Sequence, residues 1–392
     1  MKNKISSTIL FIMHMPPPVH GASMVGKYIH DSKLVNETFN CHYINLTTAD
    51  TLADIGKIGL RKVKSFVKLL NSIEKEIKRL CPDTVYITPN SAGGAFYKDF
   101  VVVEIVKRAM RKCGRKDGNI VLHFHNKGVS TRQERWLDDK LYTRFFKGVD
   151  VMLLAESLYG DISKYVERNN VVICGNGIPD YSTEDIVPIK ESYEKELPHL
   201  LFLSNMMTTK GVWELLDALY ILKRKGQNFV CDFVGGWKDI HEEEFCARVS
   251  EYGLSDCVYA HGAKYGMDKD VFFKRADIFV LPSYTEAFPL TVLEAMQYGL
   301  AVVASNVGGI SGQVSDGLTG YLIGGTESIL TLDYKPNPQE LSDAIEKLLN
   351  DMDRCRTMGQ EGLKRYKQEF TLQRFEERFC ECIQKPGFAR KI

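Results

Sequence analysis

Short apolar runs recur along the chain at intervals too long for hairpins: "TILFIMHM", "TVYIT", "NIVLHFH", "DVMLLAE" and "NVVICGNGI" in the first half. The second half continues with "HLLFLSN", "FVCDFVGG", "CVYAHG", "DIFVLPS", "AVVASNVGG" and "GYLI". Gly, Pro, Asn or charged residues bound each run, and stretches with helical spacing lie between them. Continuous rather than alternating hydrophobicity marks strands buried on both faces, so the pattern predicts parallel α/β sheets. The polar segment 175–198, "GNGIPDYSTEDIVPIKESYEKELP", carries three prolines and no clear period, and is the expected boundary. The chain of 392 residues is long enough for two cores. The expected architecture is two doubly wound Rossmann-like α/β domains facing a cleft, residues 1–180 and 181–370. A helix over 371–392 is expected to cross back to the first domain. In such sheets ligands bind beyond the carboxyl ends of the strands, so the residues just after each run carry the functional information.

Charge changes this picture. The net charge is +1 overall, yet residues 1–180 hold 27 Lys/Arg against 18 Asp/Glu and the remainder 24 against 32. Two halves of opposite sign suggest different partners. The stretch 57–80 concentrates the positive charge: apolar Val63, Phe66, Val67, Leu70, Ile73, Ile77 and Leu80 fall at helical spacing, while eight Lys/Arg face only Glu74 and Glu76. Such a helix either rests on an anionic membrane surface or packs in the core behind a solvated basic face. Nucleic acid is disfavoured by the acidic second half and the lack of aromatic-basic motifs. The ten scattered cysteines form no zinc-type pairs and read as reduced thiols. The start imitates a signal peptide, but its apolar run is short and leads into prolines, so it reads as a buried strand of a cytoplasmic protein. No window reaches the length of a membrane span.

Several strand ends carry candidate chemistry. Gly21 to Lys27 reads G-x-x-x-x-G-K, but Tyr28 stands where a phosphate loop needs Ser or Thr. Gly21 is instead expected either to let a ligand approach a helix N-terminus or to serve a tight turn. His123 and His125 occupy alternate strand positions and are expected to face a cleft or polar pocket, without the acidic or thiol residues a metal would need. Lys210 and Gly211 are expected to open a helix, where a lysine beside the dipole is unfavourable unless an anion lies there. Glu286 and Glu294 lie eight apart around Phe288-Pro289. Pro289 suits the first helical turn, placing Glu286 in a loop and Glu294 in the helix. Two acceptors at different heights beside the amides of Phe288 and Leu290 fit a ligand with several hydroxyls and an anionic middle; a glycosidase-like acid pair is the competing reading.

These residues together carry a resemblance. Glu-seven residues-Glu in "EAFPLTVLEAMQYGLAVVASNVGG", followed by "DGLTGYLI", resembles the retaining nucleotide-sugar glycosyltransferases of family 4, with the GT-B fold. "SNMMTTKGVWELLDAL", "FVGG", "HFHN", "GNGI" and the tail from Asn337 fit the same family. The resemblance implies that Glu294 binds the ribose of a UDP- or GDP-sugar, Glu286 the transferred sugar, and Lys210 the diphosphate. It also implies donor contacts from Gly21 and from Phe288, Pro289, Leu290 and Thr291, with His125 near the transferred sugar. Catalytic roles would then fall to His125, Lys210 and Glu286, with no metal and no cofactor. The acceptor would be a glycan or lipid-linked hydroxyl, in surface polysaccharide or lipopolysaccharide assembly at the inner face of the cell membrane. The sequence departs from the family at Asn205, where an arginine is usual, at His20 in place of a glycine, and at Ser311 and Gly312. These departures leave room for a non-catalytic nucleotide-sugar-binding protein or another GT-B enzyme such as a sugar-nucleotide epimerase.

Overall fold

A computed structural model describes residues 7–46, 60–114, 119–180, 197–325 and 334–384. The chain divides into two compact units, residues 1–176 with 373–392, and residues 177–372. Much of the polar segment 175–198 lies outside the described residues.

In the first unit six parallel strands take the order β2-β1-β3-β4-β5-β6. They are β1 Thr8–Met13, β2 Asn40–Asn45, β3 Thr84–Ile87, β4 Asn119–His123, β5 Asp150–Leu153 and β6 Val171–Ile173. The apolar run after Lys2 and Lys4 is therefore the central strand β1, with Ile9 to Met13 fully buried. Strand β2 was not evident in the pattern: "NCHYIN" is no continuous apolar run and is only partly buried, because it lies at the sheet edge. Around the sheet lie α1 Gly21–Asp31, α2 Lys33–Thr38, α3 Leu60–Leu80, α4 Gly93–Lys112 and α5 Trp136–Phe146.

The apolar stripe of helix α3 changes exposure along its length. Ile73 and Ile77 are fully buried in its C-terminal half, whereas Val63 and Val67 in its N-terminal half are 51% and 49% exposed. The stripe therefore does not serve one purpose along its whole length.

The second unit is also a six-stranded parallel sheet, but with a different order, β12-β11-β10-β7-β8-β9, in which the first strand β7 lies between β10 and β8. Its strands are β7 His199–Leu203, β8 Val230–Val234, β9 Val258–Ala260, β10 Ile278–Leu281, β11 Ala301–Ser305 and β12 Gly320–Ile323. Their apolar runs are almost wholly buried, as a sheet covered on both faces requires. The connecting helices are α6 Val212–Arg224, α7 Glu242–Glu251, α8 Met267–Arg275, α9 Leu290–Gln297 and the short α10 Ile310–Gln313. Helices α11 Pro338–Leu349 and α12 Met352–Arg365 follow. The last helix, α13 Leu372–Gln384, belongs almost entirely to the first unit, where the Phe379 ring packs against Tyr86 and Phe11.

Candidate functional site

Two loops at the carboxyl ends of adjacent strands build the polar site of the second unit. After β7 the chain makes a 3₁₀ turn over Thr208–Lys210 and enters α6 through Gly211. Lys210 thus lies just ahead of the helix and not in its first turn as expected. Gly211 has φ 74°, and a Cβ there would sit 1.9 Å from the Pro282 carbonyl oxygen. Only glycine lets this turn press against the end of β10. Tyr284 N–H donates to the Thr209 carbonyl at 2.9 Å, closing the two loops together.

That closure brings Lys210 to Glu286. The ammonium lies 2.6 Å from Glu286 Oε1, which also accepts from Ser283 Oγ at 2.9 Å. The loop is held from behind: a Cβ at Gly308, φ 54°, would lie 1.6 Å from the Glu286 carbonyl oxygen. Gly309 N–H donates to the Ala287 carbonyl and Gln313 Nε2 to that of Pro289, both at 2.8–2.9 Å. The Gly-Gly pair is therefore a mould for the glutamate loop. Ser311 and Gly312 follow in α10, and the Gly312 carbonyl accepts from Arg365 at 2.9 Å.

Pro289 is the N-cap of α9 and no side chain caps that helix. The amides of Leu290 and Thr291 fall in its first turn, where N–H groups lack intrahelical partners. Phe288 buries its ring against Phe370, leaving its backbone for the site. Glu294 lies in α9 one turn beyond, as Pro289 led us to expect. Its Oε1 is 2.5 Å from Lys269 Nζ on α8, while Oε2 is buried with no partner among the described residues. Burial raises its pKa above the ordinary glutamate value, and Lys269 opposes the rise. Asn205 is exposed after β7; beside it, a Cβ at Gly235 would lie 1.7 Å from the Ser204 carbonyl oxygen, which fixes that loop against β8.

The carboxyl end of the first sheet holds imidazoles instead. His20 caps α1: its Nδ1 accepts from Ser23 N–H at 3.3 Å and Ser23 Oγ accepts from His20 N–H at 2.9 Å. The residue that departs from the family pattern thus closes a capping box. Gly21 starts the helix with open space where a Cβ would be, so packing does not require glycine there. Gly26 is the sterically obligatory one, its Cβ position 2.0 Å from the His14 carbonyl oxygen. Lys27 is exposed and pairs with Asp31 one turn on along α1.

His123 does not face a pocket: it is fully buried, and its Nδ1 meets Tyr86 Oη at 2.6 Å. His125 lies beyond the strand, half-buried, its ring 4.2 Å from that of His123 and its Nε2 shielded without a partner among the described residues. Burial, with the nearby His20, lowers the His125 pKa to about 3. Burial, with Lys98, His20 and His125, lowers that of His14 also to about 3. These rings are neutral at physiological pH. Around them Asp99, fully buried on α4, accepts from Asn90 N–H and Nδ2, and Asn126 links Asn90 to the Ser91 amide.

Among the described residues no group of three or more His, Cys, Asp or Glu is placed to hold a metal. Sequence reasoning missed Ser283, Lys269 and Gly308. Lys269 gives no local signal, since it stands 25 residues before Glu294 and on another helix.

Comparison with known proteins fits this geometry. Residues 182–365 match the family described as Glycosyl transferases group 1. A D-inositol 3-phosphate glycosyltransferase of Paenarthrobacter aurescens is 31% identical over 166 residues, 41% of this chain and 38% of that protein. The capsular polysaccharide biosynthesis glycosyltransferase CapM of Staphylococcus aureus is 26% identical over 239 residues, 58% of this chain and 59% of its own. The chain therefore spans between about two fifths and three fifths of these relatives' length. The structure of Anabaena HepE, solved with UDP and glucose, aligns over 97% of this chain and 100% of its own with TM-score 0.68 at 17% identity. The chain has the GT-B fold, and residues 182–365, most of its second unit, match the family described as Glycosyl transferases group 1.

Proposed function

We propose that the protein is a metal-independent retaining glycosyltransferase that moves a sugar from a UDP- or GDP-sugar to a hydroxyl of a glycan or lipid-linked acceptor. The observation that carries this reading is the pair of lysine–glutamate contacts in the second unit, Lys210–Glu286 between loops and Lys269–Glu294 between helices, with an uncapped helix N-terminus between the two glutamates. A donor's diphosphate would draw Lys210 from Glu286 and lie against the first-turn amides of α9. The freed Glu286 then accepts hydroxyls of the transferred sugar, and Glu294 Oε2 accepts from the ribose. Asn205 borders the sugar-phosphate.

When the sugar–phosphate bond breaks, charge develops on the leaving diphosphate. Fixed donors and a lysine stabilise that charge more than the ground state, which is electrostatic catalysis. No carboxylate in the site is assigned as a nucleophile, so the acceptor hydroxyl attacks from the departing side and the leaving phosphate takes its proton. His125, neutral at working pH, donates or accepts a hydrogen bond near the transferred sugar and carries no charge. The second unit is thus the donor-binding domain and the first the acceptor-binding domain. The name of one relative, a capsular polysaccharide biosynthesis glycosyltransferase, supports a role in surface glycan assembly, which we place in the cytoplasm.

The test is a thermal-shift and nucleotide-release screen over UDP-, GDP- and ADP-sugars in EDTA. Stabilisation by one nucleotide family, with slow release of the free nucleotide, is the expected result. No stabilisation by any nucleotide-sugar overturns the reading, and turnover that needs added Mg²⁺ overturns its metal independence.

A further inference from the structure

Glu214 lies on the buried side of α6 with Leu215, Leu216 and Leu219, and only 2% of it is exposed. A carboxyl group is costly to bury among leucines unless a partner holds it there. That partner is Tyr284, whose Oη donates to Glu214 Oε1 at 2.8 Å. Lys335, itself exposed, reaches the same oxygen at 3.2 Å, while Oε2 is buried with no partner among the described residues. Burial, with the Glu214 hydrogen bond, raises the Tyr284 pKa above its ordinary value, so the hydroxyl keeps its proton and remains the donor.

Tyr284 thereby grips the chain on both sides of Lys210. Its N–H donates to the Thr209 carbonyl, one residue before the lysine, and its hydroxyl to Glu214, one helical turn after it. Lys210 and Gly211 are enclosed between these two points. A further tie, from Thr208 N–H to the Asp239 carboxylate at 3.1 Å, anchors the entry of the turn but not its exit into α6. On its own loop Tyr284 stands two residues before Glu286, so one residue sets the register of both members of the Lys210–Glu286 pair.

Among the described residues, two side-chain hydrogen bonds join the segment 204–214 to the segment 283–289: Lys210–Glu286 and Tyr284–Glu214. The first opens when a diphosphate draws the lysine away, and the second is untouched by that exchange. We propose that Tyr284 and Glu214 are positioning residues for Lys210, whose hydrogen bond keeps the turn of the lysine aligned with the phosphate once the Lys210–Glu286 contact has opened. The proposal rests on the donor-binding reading of Lys210 and Glu286 and gives that site a support outside it. It also accounts for a buried glutamate on α6 that packing alone does not call for.

Nucleotide release from the nucleotide-sugar that most stabilises the parent in the UDP-, GDP- and ADP-sugar screen tests the proposal. Tyr284→Phe and Glu214→Leu should each lower kcat about tenfold, with the donor KM moving less than about threefold. Glu214→Gln, which still accepts from the phenol, should retain most of the rate. In a Lys210→Ala background Tyr284→Phe should lower kcat no further, because no lysine remains to be aligned. A pair that serves only the fold would lower the melting temperature and cost the same factor in both backgrounds. Unchanged kcat in Tyr284→Phe, an equal loss with and without Lys210, or a loss confined to KM overturns the proposal while the parent's donor-induced thermal shift leaves the donor reading intact. Absence of that shift in the parent overturns both.

Discussion

The two six-stranded parallel sheets differ in strand order and also in the chemistry at their carboxyl ends. At the strand ends of the second unit, ionised groups stand in pairs: Lys210 against Glu286 and Lys269 against Glu294. At those of the first unit, burial holds His14 and His125 neutral, and the buried Asp99 is tied to Asn90. A charged ligand that brings its own anions can replace one partner in each lysine–glutamate pair at small desolvation cost, because the second partner is already in place. A neutral hydroxyl needs hydrogen bonds without competing charge, which shielded imidazoles and amides provide. On this reading the fold is one scaffold used twice, and its loops decide which end receives the nucleotide.

Breaking the pair nearest the leaving group should have the largest effect. Lys210→Ala is expected to lower turnover about 10²–10³-fold, as for removal of one preorganised electrostatic donor. The donor KM should move less, and Lys210→Arg should recover part of the rate; steady-state kinetics separate the two parameters. Gly211→Ala tests the backbone that carries the lysine. Its φ of 74° and the 1.9 Å approach to Pro282 make a methyl group intolerable without displacement of the loop. A stability loss of about 3 kcal/mol follows, read as a lowered denaturant midpoint. Gly21→Ala, with open space around it, should cost far less.

Glu294 sharpens the comparison through pH. Burial raises its pKa, so the carboxylate is protonated on acidification sooner than an ordinary glutamate and ceases to be a charged acceptor. Donor affinity should therefore fall as pH decreases towards that raised pKa, from above the ordinary value of 4.5. Glu294→Gln should weaken binding by about tenfold at neutral pH, near the worth of a charge-assisted hydrogen bond, and abolish that pH dependence. The smallest effect belongs to the first unit. His125 has a folded pKa of about 3, below its unfolded value of 6.5, so the unfolded chain binds more protons in between. Its contribution is present above the unfolded value and is lost as pH falls. The loss between pH 7 and pH 5.5 is roughly 1 kcal/mol, and His125→Gln should flatten that slope in denaturant titrations.

How much of this was legible follows from the range of each signal. Eleven of the twelve strands announce themselves as continuous apolar runs, and the edge strand β2 does not, because half-burial spares its polar residues. The separation of Glu286 from Glu294 was readable from Pro289, a local effect of ring geometry. The partner of Glu294 was not, since Lys269 meets it only through packing of α8 against α9. His123 misled for the same reason: strand alternation puts it on the side of His125, but the hydroxyl of Tyr86 on a neighbouring strand holds it inside. Likewise nothing near Gly308 in sequence reveals that it moulds the loop of Glu286. The basic stripe of α3 was visible, whereas its division into an exposed and a buried half is set by tertiary packing that no local pattern carries.

Calorimetric titration of a donor identified in the nucleotide-sugar screen, into the parent, Glu294→Ala and His125→Ala, tests the central claim most directly. The account predicts that Glu294→Ala loses about tenfold or more in affinity while His125→Ala binds the donor nearly as the parent does. Equal affinity in the parent and Glu294→Ala, or a loss confined to His125→Ala, would contradict the assignment of the nucleotide to the second unit.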